Sequence, residues 1–131
     1  MKLESPVTPV SKPREMVYAM LTEVRNFEKL MPDNVAKFEI LGEEKFLFAL
    51  KGMPEIALQL REKQPPEKII YESADGKVQF TLTIHIHQAA PEKSEVQFVF
   101  QGEFNAMMGM MIKNPIKNFI GVLSKNTVKL T

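Results

Sequence analysis

Apolar and polar residues alternate with a period of two through the middle of the chain, between residues 35 and 103. This alternation is typical of antiparallel strands with one buried and one solvated face, because successive side chains of a strand point to opposite sides. Segments with the composition of turns interrupt the pattern at residues 41–44, 52–54, 65–66, 75–76 and 90–92. The pattern therefore predicts a six-stranded antiparallel meander.

Helical periodicity precedes this meander near the N-terminus. A short strand comes first, and Pro6 and Pro9 make it irregular or confine it to a sheet edge, because proline donates no hydrogen bond to a neighbouring strand. Ser11 or Lys12 is expected to cap the helix that follows. A break near Arg25 predicts that this region forms two short helices.

Residues 105–131 return to the helical period, with an apolar stripe on one side of the projection and lysines on the other. Pro115 interrupts the segment, which leaves one kinked helix or two helices with Asn114 capping the second. The apolar face of a one-sided sheet must be covered, and this stripe matches it. We therefore expect a single α+β domain over residues 1–131, in which a curved antiparallel sheet wraps around the C-terminal helix.

This order of elements resembles the START-like, or SRPBCC, superfamily and its helix-grip fold. The resemblance rests on residues 11–18 at the strand-to-helix junction, 26–32 at the end of the helix pair, 62–66 at a strand end, and the final helix. It implies a fold like that of small bacterial members, with a hydrophobic ligand held between sheet and helix. Members include polyketide cyclases and aromatases, lipid and sterol carriers and quinone-binding proteins, so the resemblance predicts a fold more sharply than an activity.

Composition narrows the classes of function. The chain has 17 Lys and Arg against 16 Asp and Glu, and a net charge of +1 is too small to attract nucleic acid by charge alone. The absence of Cys removes thiol nucleophiles and cysteine-ligated metals, and no glycine pattern of a nucleotide site is present, so no cofactor is expected. The longest apolar run, residues 106–112, is far shorter than a membrane span, and we expect a cytoplasmic protein without stable membrane insertion.

The inward faces of the strands and of the last helix define the candidate ligand site. Four of the nine methionines lie within residues 107–111, and a methionine-rich wall adapts to varied apolar ligands. The residues expected to line the site are Phe48, Leu58, Leu60, Phe80, Leu82, Ile84, Phe98, Phe100, Met108, Met111, Ile112 and Phe119. The same pattern is also typical of side chains that only fill a core.

Few polar residues are placed for chemistry in such a cavity. Glu62 extends the parity of Leu58 and Leu60, and Tyr71 is the second candidate, with Tyr18 behind them. A carboxyl group against apolar walls has a raised pKa and can act as a general acid. The alternative for Glu62 is a solvated strand end.

The two histidines, His85 and His87, share one face of a strand. Two imidazoles need a third ligand to hold a metal, and Thr81 and Thr83 on the same face do not supply one. We therefore interpret this face as the exposed outer side of the sheet, and no metal site is predicted.

The leading hypothesis is a carrier or sensor of a hydrophobic small molecule such as a lipid, a polyketide or a quinone. Loops at residues 52–54 and 75–76, together with movement of the last helix about Pro115, would form its gate.

Two alternatives stay open. One is a cyclase- or aromatase-like enzyme that uses Glu62 or Tyr71 to move protons. The other is a protein-interaction module with a filled core, in which Met107 and Met110 form an exposed apolar patch. The oligomeric state is not predicted.

Overall fold

The computed structural model describes residues 1–53, 55–74 and 79–130. The strands in these residues are β1 (Lys2–Glu4), β2 (Thr8–Val10), β3 (Val35–Gly42), β4 (Lys45–Leu50), β5 (Ile56–Gln64), β6 (Lys68–Ser73), β7 (Phe80–Ala90) and β8 (Lys93–Gly102). The α-helices are α1 (Arg14–Leu21), α2 (Phe27–Leu30) and α3 (Ala106–Asn126), with 3₁₀ turns at Val24–Asn26 and Thr127–Leu130.

The strands form one antiparallel sheet in the order β1-β8-β7-β6-β5-β4-β3, and β2 also pairs with β8. Strands β3 to β8 are each paired with the next along the chain, which confirms the predicted six-stranded meander. The N-terminal segment forms two short strands on β8, separated around Pro6. The turn predicted at residues 75–76 lies outside the described residues.

The second half of α3 covers the inner face of the curved sheet, as the helix-grip prediction requires. Ile116, Phe119, Ile120 and Leu123 are buried there, and burial of such apolar surface is the main stabilising term of the fold. Leu21, Phe27 and Leu30 of the first helices are fully buried. The α+β helix-grip architecture predicted from the sequence is therefore confirmed.

Two buried polar side chains, Ser124 and Asn126, fix the C-terminal half of α3. The Asn126 Nδ2 atom donates to the Leu30 carbonyl oxygen at 3.0 Å. The Ser124 hydroxyl lies 2.8 Å from the Thr8 hydroxyl and 3.2 Å from the Val96 carbonyl oxygen. Because hydrogen bonds satisfy these buried groups, they hold this half of the helix in one position on α2, β2 and β8.

Helix α1 begins one or two residues later than the predicted cap, Lys12 or Ser11, implies. Pro13 occupies the cap position with an extended backbone and no side-chain cap hydrogen bond, so the prediction of Ser11 or Lys12 is wrong. The Lys12 carbonyl oxygen instead accepts a hydrogen bond from the Ser94 hydroxyl at 2.6 Å. This contact fixes the segment before the helix against β8.

Helix α3 runs without interruption through Pro115. Its N-cap is Asn105, whose Oδ1 atom accepts a hydrogen bond from the Met108 amide at 2.8 Å, so Asn114 does not cap a second helix. Proline has no amide hydrogen, and one backbone hydrogen bond is therefore missing from the ladder at this point. Among the described helices, none combines the length and the hydropathy that crossing a bilayer requires.

Candidate functional site

A small apolar cavity lies between α3 and the inner face of the sheet. Its lining residues are Phe48, Ile56, Leu58, Phe80, Leu82, Phe100, Ile116, Phe119 and Ile120. The volume of about 10 Å³ has room for roughly one water molecule, whereas small-molecule sites measure about 300–1,000 Å³. In this conformation the inner cavity is almost filled by its own side chains.

A groove of about 380 Å³ lies on the other side of Phe119, and we call it the Pro115 groove. Its walls come from α3 near Pro115, from the turn before β3 and from the segment after β4. The lining residues are Pro32, Asn34, Leu50, Lys51, Met53, Asn114, Pro115, Asn118, Phe119 and Val122. Phe119 lines both spaces, and its ring stacks on Phe48 with 4.7 Å between centroids and 12° between planes. The Phe119 ring therefore lies between the groove and the inner cavity.

The Pro115 groove combines apolar walls with polar side chains. Asn34, Asn114 and Asn118 contribute amides, and Lys51 contributes an ammonium group. Within the described part of the chain, Lys51 has no carboxylate oxygen within 4.0 Å. An apolar ligand with one polar or anionic end fits this combination, because few polar groups among apolar walls fix orientation in small-molecule sites.

The loop after β4 makes a tight turn at the groove. Gly52 has a φ of +80°, a conformation that other residues adopt only with strain, and the Met53 amide donates to the Leu50 carbonyl oxygen at 3.0 Å. The part of the predicted gate at residues 52–53 thus lies beside the groove, while Pro54 and residues 75–76 lie outside the described residues.

Six of the residues expected to line a ligand site do line the inner cavity: Phe48, Leu58, Phe80, Leu82, Phe100 and Phe119. Leu60, Ile84 and Phe98 are buried elsewhere in the core, and Ile112 packs against it. Sequence reasoning left out Ile56, Ile116 and Ile120, although all three follow the same strand parity and helical stripe.

Two methionines of the expected lining lie outside the cavity. Met108 is 40% exposed and Met111 is 70% exposed. A helical step of 100° per residue places Met111 about 140° away from Ile116, which is buried against the sheet. The methionine-rich wall expected around the ligand therefore faces largely away from the sheet.

Glu62 was expected to face inward like Leu58 and Leu60, and this prediction is wrong because β5 contains a bulge. Leu60 opposes Tyr71 and Glu62 opposes Ile70, so Arg61 is the extra residue in the ladder. This insertion turns Glu62 to the outer face of the sheet, where it is exposed and accepts a hydrogen bond from Gln64 Nε2 at 2.8 Å. Glu62 therefore does not reach the inner cavity.

Tyr71 is fully buried in the core, and its hydroxyl donates to the Leu21 carbonyl oxygen at 3.3 Å. Its ring meets those of Phe27 and Phe46 edge-on, at 5.2 and 5.8 Å between centroids. Burial raises the pKa of Tyr71 well above its ordinary value, and Glu44 and Tyr18 raise it further. At neutral pH Tyr71 is a neutral donor that connects β6 to the end of α1.

Tyr18 lies beside this region on α1. Its hydroxyl is buried, and the described residues offer it no hydrogen-bond partner. Burial raises the pKa of Tyr18, and the nearby Lys63 ammonium acts in the opposite direction. Tyr18 lines neither the inner cavity nor the Pro115 groove.

His85 and His87 lie exposed on the outer face, opposite Gln97 and Glu95 of β8. Partial burial lowers the pKa of His85, and the positive charge of Lys68 on the neighbouring strand lowers it further. In the described parts of the chain, no three acidic, histidine or cysteine side chains are grouped so as to hold a metal ion.

A larger cleft of about 700 Å³ opens between the first helices and the β3–β4 hairpin. Charged side chains line much of it, and two pairs of them form ion pairs. Lys63 Nζ lies 3.1 Å from Glu44, and Arg25 Nε lies 3.8 Å from Glu23. This open cleft is lined by paired charges and is less apolar than the inner cavity between the sheet and α3.

No family model matches this chain, and no curated protein matches it. Similar solved structures include a protein from Thermus thermophilus, with 13% identity over 99% of this chain and 96% of that one, at a TM-score of 0.74. A START superfamily protein from Mycobacterium smegmatis has 10% identity over 99% of both chains, at a TM-score of 0.69.

A third similar structure is a point mutant of norcoclaurine synthase from Thalictrum flavum in complex with a transition state analogue. It has 10% identity over 98% of this chain and 94% of that one, at a TM-score of 0.73. At such low identity these likenesses show the fold alone. The chain has a START-like fold, as the sequence predicted.

Proposed function

We propose that this protein binds a hydrophobic small molecule of lipid, polyketide or quinone type between the sheet and α3. The observation that carries the proposal is the position of Phe119, which lines both the Pro115 groove and the apolar inner cavity. Rotation of this ring away from Phe48 would join the two spaces. The norcoclaurine synthase structure supports the proposal, because that protein of similar fold is in complex with a transition state analogue.

Binding requires the inner cavity to enlarge. The two halves of α3 differ in how many of their residues are buried, and this difference would let the first half move. Before Pro115 only Gly109 is buried, whereas after it six residues up to Asn126 are buried. The missing backbone hydrogen bond at Pro115 lies at the boundary between the two halves. We therefore expect residues 106–115 and the loop at 52–53 to move, while residues 116–126 stay in place.

The affinity would come mainly from apolar contact. Each Å² of apolar ligand surface removed from water contributes about 25 cal/mol, before the cost of immobilising the ligand. Lys51 and the three groove asparagines would hold the polar end of the ligand at the surface. This arrangement favours molecules with a long apolar part and one polar or anionic end.

The test is mass spectrometry of the purified protein under native conditions, followed by denaturation and organic extraction. The protein is measured as isolated and after incubation with palmitate, decylubiquinone and an aromatic polyketide. A stoichiometric bound mass that is released on denaturation would support the proposal. A ligand-free mass under all four conditions would contradict it and favour a protein that has a filled core and acts through its surface.

Hydrogen exchange adds a test of the access route. Amides of residues 106–115 should exchange faster than those of 116–126 without ligand and become protected when ligand binds. Equal protection of both halves would exclude the gate. Glu62 and Tyr71 face neither the groove nor the inner cavity, so we propose no cyclase-type reaction on them.

A further inference from the structure

The first two turns of α3 expose three methionine side chains on the side of the helix that faces away from the sheet. Met107 is 74% exposed, Met110 is 82% exposed and Met111 is 70% exposed. Residues separated by three and four positions are neighbours on a helix surface, so the three side chains lie together. We call them the methionine patch. Exposed apolar surface of this kind usually marks a contact with another molecule.

The charged side chains of α3 itself are all positive. Residues 104–131 include no Asp or Glu, and Lys113 and Lys117 follow the patch on exposed positions of α3. Neither lysine has a carboxylate oxygen within 4.0 Å in the described residues. The surface therefore combines flexible apolar side chains with unpaired ammonium groups.

We infer that the methionine patch docks on the surface of an anionic lipid bilayer. The methionines would enter the boundary between headgroups and acyl chains, while the lysine stems extend along the helix and place their charges among the headgroups. An anionic leaflet attracts each nearby lysine, and the effect falls off within a Debye length. Since none of the described helices is both long enough and apolar enough to cross a bilayer, α3 would lie in the plane of the surface.

Charge argues against a second copy of this chain as the occupant. Pairing two methionine patches along parallel helices would bring Lys113 and Lys117 of both copies together, with no acidic residue of α3 to compensate them. Like charges placed close together at an interface oppose association. The inference does not depend on the proposed ligand, because vesicle binding is measured without one.

The experiment is sedimentation of the full chain with unilamellar vesicles of pure phosphatidylcholine or of phosphatidylcholine and phosphatidylglycerol in equal parts. We expect binding to the anionic vesicles to be tighter by roughly tenfold or more, and to weaken as NaCl is raised. The variant M107Q/M110Q/M111Q should bind these vesicles more weakly by roughly tenfold or more, because glutamine preserves helix propensity but removes the apolar side chains.

Three control variants separate the contributions. M107L/M110L/M111L keeps apolar side chains and should bind like the wild type. Met16→Gln makes the same change at a methionine of α1 that is 47% exposed, and it should change nothing. K113Q/K117Q should lose the preference for anionic vesicles. Circular dichroism and the thermal midpoint verify that each variant is folded.

Several results would overturn the inference. One is wild-type protein that stays in the supernatant with anionic vesicles at low salt, and another is unchanged vesicle binding by the triple glutamine variant. Binding to soluble polyglutamate as tightly as to vesicles would show that charge acts alone. A doubled mass in light scattering that the glutamine variant abolishes, without vesicle binding, would assign the patch to a second copy.

Discussion

Replacing Phe119 with Ala tests the ring that separates the Pro115 groove from the inner cavity. Phe119 is 5% exposed and stacks on Phe48, and truncation of a buried Phe to Ala costs about 3–5 kcal/mol. With a urea m-value of about 2 kcal/mol/M, this loss lowers the unfolding midpoint by roughly 2 M. The same change joins the groove of about 380 Å³ to the inner cavity, so binding of an apolar probe should increase.

The chain offers a matched control in Phe27→Ala. Phe27 is fully buried and stacks on Phe46 at 4.8 Å, but it lines neither of the two spaces. Both variants should lose similar stability in urea titrations, whereas only Phe119→Ala should bind more 1-anilinonaphthalene-8-sulfonate. Near-UV circular dichroism must show native packing, since this dye also binds molten globules. Equal dye binding by the two variants would refute the role assigned to Phe119.

Three further predictions concern polar residues. Tyr71→Phe removes the donor to Leu21 and should cost about 1–2 kcal/mol at pH 7. Because burial raises the pKa of Tyr71, the stability advantage of the wild type over Tyr71→Phe should shrink as the pH rises above about 10. Urea unfolding of both proteins from pH 7 to 11 measures this, and a constant difference in the free energy of unfolding would contradict the reasoning. Lys68→Met removes a positive charge beside His85 and should raise the pKa of His85 in an NMR titration. Because the lowered pKa of His85 destabilises the fold as the pH falls below about 6.5, the variant should lose less stability than the wild type in that range. An unchanged pKa of His85 would contradict the assigned cause. Glu62→Gln should change stability by less than about 0.5 kcal/mol and leave ligand uptake in native mass spectrometry unchanged, and a loss of uptake would contradict its outer position.

The order of strands was predictable because each strand of the meander carries its own alternation and each turn its own breaker residues. The outward turn of Glu62 was not predictable in the same way. A bulge adds one residue to a ladder without changing the local composition, and Arg61 looks like any outward-facing strand residue. The cap of α1 was missed for a related reason, since the contact between Lys12 and Ser94 joins residues that are far apart in sequence.

The candidate site was predictable only where one side of α3 is clearly apolar. Ile116 and Phe119 have polar residues on the opposite side of the helix, and both are buried. Residues 106–112 are apolar all round, so their pattern does not select the side that faces the sheet. The packing of the N-terminus determines which side of this segment is buried. A Cβ atom added to Gly109 would lie 3.0 Å from the Met1 methyl group, so Met1 packs closely against the Gly109 side of the helix.

The two proposals meet in residues 106–115, because the same segment carries the methionine patch and borders the Pro115 groove. If ligand binding shifts this segment and with it the methionine patch, we expect the affinity for anionic vesicles to change, and linkage then requires vesicles to change the ligand affinity by the same factor. Vesicle sedimentation with and without saturating ligand, paired with ligand titration with and without vesicles, measures both factors. Pro115→Ala restores the missing backbone donor and should reduce both together. Two factors of one would show that ligand binding and vesicle docking are not coupled through this segment.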